Sequence, residues 1–135
     1  MPALALCRDA LALYEDLHAA DPRNAQAVSD VAVGALSMTG ANLAMGDSLA
    51  ALRTLDRAIT VLRPALAAEP NNVPNRLHLA RSLGRHSLLA RQLGVAAPFA
   101  DEARSLLEAL TGEAPTDDAD AQLLAALNGR SKNHR

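Results

Sequence analysis

The chain has 135 residues, which fits one domain, because domains usually contain about 100 to 200 residues. Half of the residues are hydrophobic, yet there is one Phe, one Tyr and no Trp, so the core must consist of Ala, Leu and Val; this favours packed helices over a β-sandwich, and the predicted fold class is all-α. A net charge of −2 gives no bulk attraction for nucleic acid or an anionic membrane, and the shortage of aromatic rings removes the stacking platforms of single-strand binders.

Six helices are predicted, with boundaries that come from turn and capping residues. The pair Asp21-Pro22 ends the first helix, because the residue before a proline is driven out of the helical region. Gly46 and Gly94 supply the left-handed conformation that ends the second and fourth helices. Pro64 predicts a kink in the third. The expected helices span residues 3–20, 24–45, 48–68, 74–93, 96–110 and 116–127, and a polar tail at 130–135 is expected to be disordered.

The sequence repeats itself at an interval of 48 residues. Residues separated by this interval include identical prolines and asparagines before two of the helices and identical glycines after them: Pro22 and Pro70, Asn24 and Asn72, Ala32 and Ala80, Gly46 and Gly94. Such self-similarity is typical of stacked helical units that cannot bury their apolar faces alone. The predicted single domain, 1–129, therefore comprises a half-repeat at 3–20, repeats at 24–68 and 72–110, and a capping helix at 116–127.

Within this unit, Gly46-Asp47 followed by Ala51, Leu55 and Ala58 resembles the turn and second helix of the tetratricopeptide repeat, in which small residues let two helices approach closely. The segment Ala-Ala-Asp-Pro-Arg-Asn-Ala at Ala19 to Ala25 is similar to a phrase found in extended tetratricopeptide-like arrays of some bacterial multidomain proteins. The resemblance covers most of the chain.

The sequence departs from the usual repeat in two respects. Its period is longer than the family's typical length of about 34 residues, and Met38 and Asn42 occupy positions where a Leu and a Tyr are expected. The resemblance implies an α-solenoid of antiparallel helix pairs. It also implies a non-enzymatic function, in which the first helix of each pair lines a concave groove that binds a partner protein or peptide.

Four polar side chains share one face of the predicted helix 74–93. At 100° per residue, His78, Arg81, Arg85 and Gln92 fall within an arc of about 60°. The resemblance places this face in the concave groove. Because a guanidinium binds a carboxylate or phosphate through a planar fork, two arginines one turn apart indicate an acidic partner.

The corresponding positions one repeat earlier include Asp30 and Ser37, which complete the candidate groove. A second interpretation stays open at this point. The two arginines could form a solvated face, or could pair with Asp30 and with acidic residues of the last helix, namely Asp117, Asp118 or Asp120.

No catalytic or metal-binding constellation is predicted, and no cofactor is expected. Catalysis needs a nucleophile, a base and a group that stabilises charge, and no motif in the sequence supplies all three. Cys7 is the single thiol and falls at an apolar helix position. His78 and His86 are eight residues apart, which is about 12 Å along a helix, so they cannot share a metal ion directly.

Two other functions are kept as alternatives. The chain could be the regulatory segment of a larger multidomain enzyme, or a scaffold that associates with itself through a first and a last helix that lack partners. A cytoplasmic location is expected, since no leader is recognised, no apolar run approaches the roughly 20 residues of a membrane span, and a single Cys cannot form an internal disulfide.

Overall fold

The computed structural model describes residues 2–111 and 117–129, and these form six α-helices without a β-strand. The helices are α1 (Pro2–Ala20), α2 (Ala25–Ala44), α3 (Ser48–Ala68), α4 (Val73–Leu93), α5 (Ala100–Leu110) and α6 (Asp118–Leu127). The predicted all-α class with six helices is confirmed. The fifth helix begins at Ala100 and not near residue 96, as the sequence indicated. The predicted disordered tail lies outside the described residues.

Helix boundaries follow from side chains that accept backbone hydrogen bonds. Asn24, Asp47, Asn72 and Asp117 each occupy an N-cap and accept from amides in the first turn of α2, α3, α4 and α6. Such a cap stabilises a helix by about 1 kcal/mol, because it satisfies amides that lack intrahelical partners. At the N-cap of α5 stands Phe99, whose side chain cannot accept, so α5 starts without this contribution.

α4 lies at the centre of the fold. Each helix packs on the next one in the chain, and α2 and α6 also contact α4, so α4 has four neighbouring helices. The main core consists of aliphatic side chains, as the composition predicted; its fully buried members include Leu11, Leu62, Leu83, Leu107 and Leu110. This arrangement makes α4 the helix that can bring side chains of several elements together.

Two glycines allow helices to approach closely. A Cβ added to Gly34 of α2 would lie 2.9 Å from a ring carbon of Tyr14 in α1. A Cβ added to Gly84 of α4 would lie 2.8 Å from a methyl group of Leu123 in α6. Because real Cβ atoms do not come so close to other carbons, the missing side chains set the distances between α1 and α2 and between α4 and α6.

Ion pairs join the odd-numbered helices at the surface. Arg57 of α3 donates to Glu15 of α1, and Arg63 of α3 forms a two-pronged contact with Glu102 of α5 at 2.8 and 2.9 Å. Hydrogen bonds from Arg63 lower the pKa of Glu102. Since these pairs are exposed, each contributes at most about 1 kcal/mol. Among the described residues, no helix is long and apolar enough to cross a membrane.

One apolar face of α1 lies in solvent. Leu6, Leu13 and Leu17 are 69%, 57% and 52% exposed, although their spacing is that of a core-facing stripe. α1 packs on α2 through a different face, which contains the fully buried Leu11 and the half-buried Tyr14.

Candidate functional site

A groove of about 300 Å³ is lined by α2 and α4, with one residue of α3. Leu55 of α3 and Leu89 of α4 are buried in it, and Leu43 of α2 contributes an exposed aliphatic side chain. The complete lining is Thr39, Gly40, Leu43, Leu55, Arg85, Leu88, Leu89 and Gln92. We call this the Arg85 groove. The lining residues of α4 recur every three to four positions, so one side of this helix faces the groove.

Arg85 and Gln92 are the two predicted site residues that line the groove. Both are exposed, and within residues 2–111 and 117–129 the guanidinium of Arg85 has neither an ion-pair nor a hydrogen-bond partner. The five donors of an arginine stand in a planar fork that matches a carboxylate. The groove therefore combines an apolar floor with one available cationic group.

Arg81 has a different role from Arg85, although it lies one helical turn away. Its Nε and Nη2 donate to the two carboxylate oxygens of Asp120 in α6 at 2.7 and 2.8 Å. The Asp120 side chain is 3% exposed. The hydrogen bonds from Arg81 hold the pKa of Asp120 below its usual value, against the opposite effect of burial, and raise the pKa of Arg81.

Asp120 also organises the start of α6. Its amide donates to Asp117 Oδ1 at 3.0 Å, and its carboxylate accepts from the amide of Asp117 at 3.1 Å, which completes a reciprocal cap. Arg81 thus holds α6 against α4 through Asp120, the third residue of α6, which shares the reciprocal cap with Asp117. This is one of the pairings that the sequence left open as the alternative to a ligand site.

His78 joins α4 to α2. Its Nε2 lies 3.0 Å from the hydroxyl of Ser29, and its Nδ1 is buried without a hydrogen-bond partner among the described residues. Burial, followed by the charge of Arg81, lowers the pKa of His78. A neutral imidazole between two helices serves packing and adds no charge to a partner site.

The remaining two predicted site residues lie elsewhere on α2. Asp30 accepts a hydrogen bond from Gln26 of the same helix at 2.9 Å. Ser37 lines a separate cavity of about 240 Å³ beside α1, together with Cys7 and Tyr14. Of the six predicted residues, the structure therefore brings only Arg85 and Gln92 into one groove.

The leucines of the groove were missed by sequence reasoning, which searched for polar residues alone. A signal was present, because Leu88 and Leu89 fall between Arg85 and Gln92 at intervals of three and four residues. Leu43 follows Thr39 and Gly40 on α2 in the same way. Combining both helices would have indicated an apolar groove with one polar edge.

His86 belongs to a contact between α3, α4 and the N-cap residue of α5 that no sequence pattern suggested. Its Nε2 lies 2.9 Å from Asp56 Oδ1, and its ring packs edge-on against Phe99 with centroids 5.0 Å apart. The guanidinium of Arg63 lies 5.4 Å above the same phenyl ring. Among the described residues no group of three His, Cys, Asp or Glu side chains could hold a metal ion.

A cavity larger than the Arg85 groove lies away from the predicted residues. It measures about 570 Å³, and its lining comes from the α1–α2 connection, the start of α2 and the C-terminal half of α3, including Pro22, Val28, Val61 and Ala65. His18, Arg23 and Glu69 add both signs of charge to its lining. This mixture selects no ligand class, in contrast to the single cation of the Arg85 groove.

Comparisons of the chain with protein-family models, with curated proteins and with solved structures gave no match. The geometry of the groove is therefore the basis for the functional interpretation.

Proposed function

We propose that the chain is a non-enzymatic module of the tetratricopeptide-like class, which binds a partner protein or peptide in the Arg85 groove. Support for the class comes from the helix contacts together with the sequence interval. α2, α4 and α6 would be the first helices of successive repeats, and α4 contacts both α2 and α6. Stacked helix pairs with a period near 48 residues would produce these contacts.

The observation that carries the proposed function is the guanidinium of Arg85 at the edge of an apolar groove. Leu43, Leu88 and Leu89 offer a surface for an aliphatic side chain of the partner. Arg85 offers a two-pronged contact for a carboxylate. The proposed ligand is therefore a peptide segment that presents an acidic side chain, or its own C-terminal carboxylate, beside a Leu-like residue.

Selection from a library of displayed random peptides tests this proposal. The wild type should enrich peptides in which a carboxylate lies next to an aliphatic residue. Arg85→Glu should weaken binding of such a peptide at least tenfold, which is about 1.4 kcal/mol. The matched control is Arg53→Glu, because Arg53 is an exposed arginine of α3 outside the groove and the charge change is identical.

Chemical-shift changes in nuclear magnetic resonance spectra locate the bound peptide. They should concentrate at Leu43, Arg85 and Gln92. The proposal fails if selected peptides bind Arg85→Glu and wild type equally, or if the shift changes map to another surface. Arg81 is unsuited to this test, since its substitution would break the contact with Asp120 and disturb the fold.

A further inference from the structure

Three leucines on one face of α1 are exposed to solvent. We call Leu6, Leu13 and Leu17 the α1 leucine face. All three are more than half exposed and fall on one stripe of the helix, while the side of α1 that contains Leu11 is buried. Single exposed leucines are common, but a stripe of three on one helix indicates an interaction surface.

α3 shows which kind of helix packs on this face. The residues 48 positions after the three leucines are Thr54, Val61 and Ala65. On α3 these residues face α2: Thr54 Oγ1 accepts a hydrogen bond from Asn42 of α2 at 3.0 Å, and Val61 and Ala65 line one cavity with Val28 of α2. Thr54 is only 3% exposed. The face that α1 leaves in solvent is therefore the counterpart of the face that α3 buries against the preceding helix.

α6 leaves the complementary face open. Alignment of the N-caps Asn24 of α2 and Asp117 of α6 places three residues of α2, Val28, Ala32 and Ala35, over Ala121, Ala125 and Asn128 of α6. The three residues of α2 are at most 1% exposed, and Val28 lines one cavity with Val61 and Ala65 of α3. Their counterparts on α6 are all exposed. We call Ala121 and Ala125 the α6 alanine face.

We propose that copies of this chain associate head to tail, with the α1 leucine face of one copy packed on the α6 alanine face of the next. The contact would repeat the way in which α3 packs on α2. Leucines on one side and alanines on the other suit close helix packing, since the large side chains fill the space that the small ones leave.

This interface joins two different faces, so it does not close as a symmetric dimer and can continue into a chain of copies. One helix pair buries less than the roughly 1,200 Å² of stable interfaces. The association is therefore weak, with a Kd between about 1 μM and 1 mM. It is independent of the Arg85 groove, which lies between α2 and α4.

Two blocking variants, each with a control, test the proposal. Leu13→Glu with Leu17→Glu places charge on the α1 leucine face, and Ala125→Arg blocks the α6 alanine face. Leu49→Glu is the control for the first, because Leu49 is 56% exposed and lies outside both faces. Ala119→Arg is the control for the second, because Ala119 is exposed on another side of α6. Circular dichroism confirms that each variant is helical.

Sedimentation equilibrium provides the first readout. The average mass of the wild type and of both controls should increase with protein concentration, whereas each blocked variant alone should remain a monomer. Mixing the two blocked variants provides the second readout. Each retains one working face, so an equimolar mixture should form dimers and nothing larger.

Three results would overturn the proposal. The first is a wild type that stays monomeric up to about 1 mM, which would leave the α1 leucine face to a different protein. The second is unchanged association of Ala125→Arg, which would indicate contact between two α1 helices. The third is a mixture of the blocked variants that remains monomeric.

Discussion

Arg81 and Arg85 lie one turn apart on α4, yet they belong to different regions of the molecule. Arg81 belongs to the junction of α4 and α6, where it holds the buried carboxylate of Asp120 through two hydrogen bonds. Arg85 belongs to the groove between α2 and α4, and among the described residues it has no partner. The difference arises because an acidic side chain of α6, Asp120, pairs with Arg81, and no acidic side chain of α6 pairs with Arg85.

Arg81 is a structural cation, whereas Arg85 is available to a ligand. A paired arginine in a partly buried site has already exchanged its hydration for protein hydrogen bonds, so a ligand would have to displace Asp120 to use it. An exposed arginine beside an apolar floor keeps all its donors for a ligand. Charge on a helix face is therefore a weak guide to function until the neighbouring helices are placed.

The largest expected effect concerns stability. Arg81→Met should lower the free energy of unfolding by about 3 kcal/mol, because it leaves the carboxylate of Asp120 buried without its cation. Arg85→Met should change it by less than about 0.5 kcal/mol, since the side chain is exposed. Urea denaturation followed by circular dichroism measures both. Equal losses in the two variants would contradict the division between junction and groove.

The next largest effects on stability are expected from two glycines, Gly84 in the junction of α4 and α6 and Gly40 in the Arg85 groove. Gly84→Ala should destabilise the protein by about 1 kcal/mol, because overpacking against Leu123 outweighs the better helix propensity of alanine. Gly40→Ala should stabilise it by about 0.5–1 kcal/mol, since nothing lies within 4 Å of the added Cβ. Thermal unfolding distinguishes the two signs.

A double variant tests whether overpacking against Leu123 is the reason that Gly84→Ala destabilises the protein. In a Leu123→Ala background, where the methyl groups that face Gly84 are absent, Gly84→Ala should no longer destabilise. If it costs the same in both backgrounds, the close approach of α4 and α6 is not what requires glycine at this position.

Helix positions were predicted well because local chemistry determines them. Capping asparagines and aspartates and the turn glycines act within a few residues, so their effects can be read directly in a sequence. The start of α5 was misplaced because residues 96–99 contain no side chain that caps it; Pro98 indicated an earlier start, but the helix begins at Ala100.

The candidate site was predicted less well, because it depends on which helix lies opposite each side chain. The sequence shows a helical face of four polar residues. It does not show that Arg81 is paired and Arg85 is available, because this depends on the position of Asp120, 39 residues after Arg81. The exposed leucines of α1 show the same limit. Their periodicity indicates an apolar face and does not reveal whether a neighbouring helix of the same chain covers it.

The smallest expected effect is the pH dependence of the junction. Because the native pKa of Asp120 is lowered, mainly by hydrogen bonds from Arg81, the unfolded chain takes up this proton first as the solution is acidified. The stabilisation is fully present above the unfolded pKa of about 3.9 and is lost as the pH falls through the native value. The stability difference between wild type and Arg81→Met should therefore shrink below about pH 4.

Glu102, whose pKa is also lowered, contributes to both proteins and cancels in the difference. Urea titrations between neutral and acidic pH measure this change, and Arg85→Met should follow the wild type throughout. A difference that stays constant down to the lowest pH would show that packing of the Arg81 side chain, and not its charge, holds α6 in place.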